Sequence, residues 1–260
     1  MCASLLDSAW ATCHASARGA RRTAVSEALT EVSEEAARAA ATAGLELRRD
    51  AEGLALVGDG MVLRADLARL LPRLRPDRLG RELLVRAARV RGVSAPTAVD
   101  ATAGLGEDAL LLASAGFTVT MFEKDPVIAA LLRDALARAA NESQLAGIVA
   151  RMELVEGDSV AGLCALGAQG RSPDVVFLDP MFPERTKSAA VKKKFQLLHH
   201  LERPCEDEAR LLDAALAAGP RKIVIKRPPK GPWLAGAKPS HSLAGKAVRY
   251  DVIVPPPSSR

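Results

Sequence analysis

Aromatic side chains are scarce, at 3% of the 260 residues, so any aromatic placed inside a motif calls for a reason. Cysteine is scarce as well. The four, Cys2, Cys13, Cys164 and Cys205, form no C-x-x-C pair and are too scattered for a disulfide framework or a zinc site. They read as free thiols in a reducing compartment, with no metal expected. No stretch approaches the roughly 18 uninterrupted apolar residues of a membrane-spanning helix, so no membrane contact is expected. The first residues, MCASLLDSAWATCHASARGARR, lack the basic start and clean apolar run of a secretory signal. Arg18, Arg21 and Arg22 leave an organellar transit peptide open as the alternative to a cytoplasmic protein.

What is present is enough for a full core. With 48% hydrophobic residues, the chain reads as one catalytic domain preceded by a smaller piece. Its charge is uneven. Residues 181–260 hold 16 Lys and Arg against 7 Asp and Glu, a net of +9, whereas residues 1–180 hold 20 against 24, a net of −4. Residues 61–91 nevertheless carry nine arginines against Asp66, Asp77 and Glu82. Basic segments thus flank an acidic centre. That suits a polyanion such as nucleic acid, and equally a solvated Arg-rich surface.

Residues 24–43, rich in Ala and Glu, read as a helix ending near Gly44. Leu45–Leu47 and Leu54–Leu56 read as a hairpin, and Leu79–Val90 as an amphipathic helix. These form an N-terminal domain or arm, residues 1–90. From residue 91 to 260 strand–loop–helix units take over. Strands are expected at Thr97–Asp100, Phe117–Phe122, Met152–Val155, Asp174–Leu178, Arg221–Ile225 and Val248–Val254. Helices are expected at Glu107–Ala115, from Pro126 to about Ala140, and at Glu206–Ala218. The alternation implies an α/β fold with a doubly wound, mostly parallel sheet and a small N-terminal α+β domain. Ligands bind such sheets beyond the carboxyl ends of the strands, so the residues just after each strand carry the function.

The first strand runs into Asp100-Ala-Thr-Ala-Gly104-Leu-Gly106-Glu107-Asp108-Ala109. Gly104-x-Gly106-x-x-Ala109, with Glu123 about 20 residues on, also fits the dinucleotide fingerprint. A diphosphate, however, needs a positive helix start. Asp100, Glu107 and Asp108 would repel it and attract a ligand carrying an amine and a sulfonium, such as S-adenosylmethionine. Glu107 and Asp108 also favour a helix start through the helix dipole, which is compatible. Glu123, at the end of the second strand, can accept two ribose hydroxyls. Asp158 and Ser159, after the third strand, are placed for the adenine edge, although Gly-Asp-Ser is also ordinary turn chemistry.

After the fourth strand comes Asp179-Pro180-Met181-Phe182, similar to the D/N-P-P-Y/F motif of methyltransferases that modify exocyclic amines. The lone pair of such an amine is delocalised into the ring. Asp179 and neighbouring carbonyls can accept its hydrogens, Pro180 can fix those acceptors, and Phe182 can stack on a base splayed from its neighbours. Lys187, Lys192, Lys193 and Lys194, with Lys226 and Arg227 after the fifth strand, read as contacts to RNA phosphates; a solvated lysine face is the alternative.

Taken together, VDATAGLGEDALLLASAGFTVTMFEKDPVIAALL, VEGDS, VVFLDPMFPERTKSAAVKKK and IVIKRP with the late RYDVIV resemble the RsmJ family of bacterial small-subunit ribosomal RNA guanine-N2 methyltransferases. The resemblance covers about residues 75–255 and is weak over the first 60 or so. It implies a Rossmann-like class I S-adenosylmethionine-dependent methyltransferase acting on N2 of one guanine in 16S ribosomal RNA, with ribosomal RNA or the small subunit as partner. It also implies cofactor contacts from Glu107, Asp108, Glu123, Lys124, Asp158, Ser159 and Asp179. Three positions depart from the family's pattern: Glu107 replaces a basic residue, Lys124 an arginine and Asp158 a small hydroxyl residue. Activity on another nucleic-acid amine, a non-catalytic RNA-binding relative and a nicotinamide-dependent oxidoreductase stay open as alternatives.

Overall fold

The computed structural model describes residues 32–180, 197–198, 201 and 207–256. Helix α1, Glu34–Thr42, opens the described chain; Ser33 caps it by accepting from the Ala36 N–H at 3.2 Å. The part of the expected helix before residue 32 lies outside the described residues. Strands β1, Glu46–Asp50, and β2, Gly53–Gly58, form the expected hairpin. A third strand that the sequence pattern did not announce, β3, Met61–Leu63, extends it to an antiparallel sheet of order β1-β2-β3.

Three short helices follow: α2, Leu71–Leu74, α3, Pro76–Leu79, and α4, Leu83–Ala88. One amphipathic helix was expected across Leu79–Val90, but the chain breaks between α3 and α4: Gly80 keeps helical angles, φ −64° and ψ −14°, and Glu82 turns extended, at φ −61° and ψ 126°.

The remaining elements build the main sheet. They are β4, Thr97–Asp100; α5, Glu107–Ser114; β5, Thr118–Glu123; α6, Pro126–Ala139; α7, Ala146–Val149; β6, Met152–Glu156; α8, Ser159–Ala168; β7, Val175–Leu178; α9, Glu208–Ala217; β8, Lys222–Arg227; β9, His241–Ala244; and β10, Arg249–Ile253. The order is β6-β5-β4-β7-β8-β10-β9, with β4 to β8 parallel and β10 antiparallel to both neighbours. All six expected strands are present within two residues of their expected ends. Helices α7 and α8 and the edge strand β9 were not foreseen.

Strand alternation divides the core into two layers. Ala98, Val119, Met121, Phe177 and Val224 face α4 and α5. Val99, Phe122, Val176, Leu178, Ile223 and Ile225 face α8 and α9. A third cluster joins Leu54, Leu56 and Leu63 of the small sheet to Val127, Ile128, Leu131 and Ala135 of α6. Each leucine fully removed from water contributes roughly 1.5–3 kcal/mol, so this cluster is a structural joint rather than a loose contact. Buried Asp134 reinforces it, accepting from Arg49 Nη1 at 2.6 Å and Arg138 Nε at 2.8 Å. From Val32 onward the chain forms one compact unit. Among the described residues no helix is long and apolar enough to cross a membrane.

The order reverses beside β4, which pairs with both β5 and β7. In sheets of this kind the crevice outside the carboxyl ends of the strands, at such a switch point, is where ligands bind.

Candidate functional site

The loop 101–106 between β4 and α5 is tied to both neighbouring strands: the Ala101 N–H donates to Phe177 O at 3.0 Å and the Ala103 N–H to Phe122 O at 3.1 Å. Gly104 and Gly106 adopt φ of +53° and +78°, where a side chain is strained. A Cβ on Gly106 would lie 2.6 Å from Leu132 Cδ1, whereas one on Gly104 would meet nothing within 4 Å. Gly106 therefore serves packing against α6, and Gly104 borders open space in which a ligand can approach the backbone.

Glu123 shapes the same loop. Its Oε2 accepts from the Gly104 N–H and its Oε1 from the Asp125 N–H, both at 2.9 Å. Each oxygen retains a further lone pair, enough for the two hydroxyls of a ribose. Burial raises its pKa, and backbone donors at Asp125, Gly104 and Lys124 oppose that without cancelling it. Asp158 is exposed and caps α8, its Oδ1 accepting from the Val160 N–H at 3.1 Å, while Ser159 begins the helix. The turn chemistry and a position after β6 thus coexist in one residue. Lys124 is exposed beside Glu123.

The carboxylates of the glycine loop are less bare than their sequence suggests. Glu107 forms an ion pair with Arg69, 38 residues earlier, and Asp108 Oδ2 lies 2.6 Å from Lys226 Nζ. The same Nζ lies 2.9 Å from Asp179 Oδ2. Asp100 is buried at 1% exposure; its Oδ1 accepts from the Thr102 N–H at 3.1 Å, and its Oδ2 has no hydrogen-bond partner among the described residues. Burial pushes its carboxyl up to about 8. One ammonium therefore serves both Asp108 and Asp179, and among the described residues Glu123 has only backbone donors. The crevice stays acidic, though by less than three unpaired carboxylates. Thr102 closes the circuit: its Oγ1 accepts from the Asp179 N–H at 2.7 Å.

Two residues expected to meet RNA phosphates stand elsewhere. Lys226 points into the crevice. Arg227 is 1% exposed, donating from Nε to Pro232 O at 2.8 Å and pairing with Glu208 of α9 at 3.3 Å. Adjacent strand residues face opposite sides of a sheet, so the two cannot share a surface. That period of two was the available signal; the partners Arg69, Thr102 and Tyr250 left none. Phe182, Lys187, Lys192, Lys193 and Lys194 lie outside the described residues.

The crevice is poorly suited to a diphosphate, because the two cations near the start of α5, Arg69 and Lys226, are already engaged by carboxylates. An acidic pocket with an open glycine flank fits a cationic nucleoside. Fold and site together define a Rossmann-like, S-adenosylmethionine-dependent methyltransferase.

Comparison with known proteins narrows the class. A family model described as SAM-dependent methyltransferase matches residues 61–255. The ribosomal RNA small subunit methyltransferase J of Thioalkalivibrio sulfidiphilus is 49% identical over 173 residues, 66% of this chain and 68% of that protein. The protein of that name from Neisseria meningitidis serogroup C is 41% identical over 206 residues, 79% of this chain and 82% of the relative. Some relatives of that name are covered over slightly less than two thirds of their length, as in Pseudomonas fluorescens Pf0-1, at 65%. Among solved structures, a SAM-dependent methyltransferase from Neisseria gonorrhoeae superposes with a TM-score of 0.64 at 34% identity, covering 80% of this chain and 81% of its own. The chain belongs to this SAM-dependent methyltransferase family, and S-adenosylmethionine is its cofactor.

Glu123 gives the first test. Glu123→Ala removes the acceptor facing the open side of the loop together with the anchor of the Gly104 N–H. Cofactor affinity is expected to fall by about 1–3 kcal/mol, the cost of lost charged hydrogen bonds. Calorimetry returning wild-type affinity would remove Glu123 from the site.

Proposed function

We propose that the protein transfers a methyl group from S-adenosylmethionine to the exocyclic N2 of a guanine in small-subunit (16S) ribosomal RNA. The observation that carries this reading is the setting of Asp179. It directly follows β7 at the switch point, its N–H bonds Thr102 Oγ1 of the glycine loop and its carboxylate meets Lys226. The names of the relatives supply the RNA.

The cofactor supplies an electrophilic methyl group on a sulfonium; the chain does the rest. Asp100, Gly104, Gly106, Glu107, Asp108, Glu123, Lys124, Asp158 and Ser159 form its cradle, with Glu123 taking the ribose. Asp179 accepts hydrogens of the base amine and so orients its lone pair. Pro180, buried at the strand end, holds that backbone in place, and Phe182 stacks on the extruded base. Alignment of amine and methyl group is the main source of acceleration. A ribosomal RNA substrate implies a cytoplasmic enzyme. No metal enters this scheme.

The test is mass spectrometry of ribosomal RNA from a strain lacking the gene. One N2-methylguanosine in the small-subunit RNA should disappear and return with the wild-type gene, and not with Asp179→Ala. An unchanged methylguanosine content would move the target to another nucleic-acid amine.

RNA needs a basic surface as well. Lys187 and Lys192–Lys194 follow Asp179-Pro180 in the chain. Arg78, Arg81, Arg86, Arg89 and Arg91 are exposed and form no ion pair among the described residues. The lysines, closest in sequence to the base-binding motif, are the proposed phosphate contacts. Replacing Lys192, Lys193 and Lys194 by Gln should weaken RNA binding and reduce the slope of log affinity against log salt by roughly 0.7 per lost contact, with cofactor affinity unchanged. An unchanged slope would assign RNA binding to the arginine face.

A further inference from the structure

Lys226 bridges two carboxylates from different elements of the crevice. Its side chain is 18% exposed, and its Nζ lies 2.6 Å from Asp108 Oδ2 and 2.9 Å from Asp179 Oδ2. Asp108 stands in the first turn of α5 and Asp179 directly follows β7; in the function proposed above the first belongs to the cofactor half of the site and the second to the base half. Tyr250 of β10 pairs with Lys226 in register and is 5% exposed, so it walls off the outer side of the lysine. Buried Asp100 completes the setting. Burial alone would favour the neutral amine, but Asp108 and Asp179 more than reverse this and raise the lysine's pKa. The ammonium is therefore a fixed positive charge.

We infer that Lys226 is a shared counter-ion linking the cofactor half of the site to the base half: it tempers the attraction of the crevice for cationic ligands and holds Asp179 as a charged, oriented acceptor. The second role rests on the reading of Asp179 given above; the first stands without it. The physical basis is that one ammonium lies within ion-pair distance of two carboxylates. Removing it makes the crevice more negative by one charge and takes away the ammonium that lies between Asp108 and Asp179. Two effects follow, of different kinds. A ligand with a sulfonium gains over the same ligand without one. Asp179 also becomes harder to ionise beside Asp108, and loses the donor that fixes its Oδ2.

The experiment compares wild type, Lys226→Met and Lys226→Arg. Methionine keeps most of the length and apolar stem and removes the charge; arginine keeps the charge. Calorimetry on the protein alone measures affinity for S-adenosylmethionine and for S-adenosylhomocysteine, which differ by the sulfonium charge. In Lys226→Met the ratio of the two should shift about tenfold toward S-adenosylmethionine, the order expected for one charge acting across roughly 12 Å at protein screening. Turnover on RNA should drop at least about tenfold, with the acid limb of its pH profile moved upward. Lys226→Arg should return the ligand ratio and the acid limb toward wild type.

The ligand ratio needs no RNA, so it tests the counter-ion role even if the RNA substrate proves to be a different one. An unchanged ratio and an unmoved acid limb, with only the melting temperature lowered, would reduce Lys226 to a packing role and overturn the inference. A raised RNA KM with a shallower salt slope at constant turnover would do the same, in favour of a phosphate contact. Should Lys226→Met fail to fold, the arginine variant still decides: its ligand ratio must match wild type.

Discussion

Replacing Asp179 by alanine is expected to cut methyl transfer at least about 100-fold, the low end of what a positioned proton acceptor contributes, while the protein stays folded. The fold should survive for local reasons. Asp179 is 22% exposed at a strand end, and its N–H to Thr102 bond belongs to the backbone and persists in the variant. Lys226 keeps Asp108 as a partner, and the repulsion between the two carboxylates disappears. What is lost is the acceptor for the amine hydrogens. Asp179→Asn, which keeps one acceptor oxygen, should retain more activity than Asp179→Ala. Single-turnover kinetics with saturating cofactor measure this directly, and near-normal turnover in the alanine variant would end the role assigned to the motif.

How much of this was legible beforehand varies with the kind of signal. Strands β4, β7 and β8 could be placed because buried parallel strands read as short apolar runs, and Asp100, Glu123 and Asp179 stand out as acids at or just past the ends of β4, β5 and β7. The glycine loop was legible because φ near +78° at Gly106 and its closeness to Leu132 leave few choices of residue. Strand β9, the run His241–Ala244, gave no such pattern: it lies mostly exposed at the sheet edge, so no buried face imposes apolar residues on it. Charge partners were the least legible. Arg69 neutralises Glu107 and Lys226 divides itself between Asp108 and Asp179 through contacts far apart in sequence. Along the chain, Asp100, Glu107 and Asp108 count as three repelling acids. The folded crevice reaches the same preference for a cationic ligand with fewer net charges, because its cations are already committed.

The last expected result concerns pH. Stability of the ligand-free protein should fall as pH rises from 5 to 8, and Asp100→Asn should flatten that fall. Burial pushes the Asp100 carboxyl up to about 8; the Thr102 N–H opposes this, Asp108 and Asp179 add to it, and Lys226 opposes it. In the unfolded chain the same group titrates near 3.8. Between those values the folded protein holds a proton that the unfolded chain has released. Each unit of pH then favours unfolding by about 1.4 kcal/mol, or roughly 4 kcal/mol over this window, and the loss ends once pH passes the folded value. Glu123, also raised by burial, adds a smaller decline of the same sign. Asp50 and Asp134 are lowered, so their contribution is lost only in acid, below the window. Asparagine at position 100 keeps an acceptor for the Thr102 N–H without a titrating proton, so the gap between variant and wild type should widen steadily from pH 5 to pH 8. Urea unfolding at each pH measures it. Parallel stability curves for the two proteins would show that Asp100 is ionised in the folded state throughout, and its unpartnered Oδ2 would then need a cation of its own.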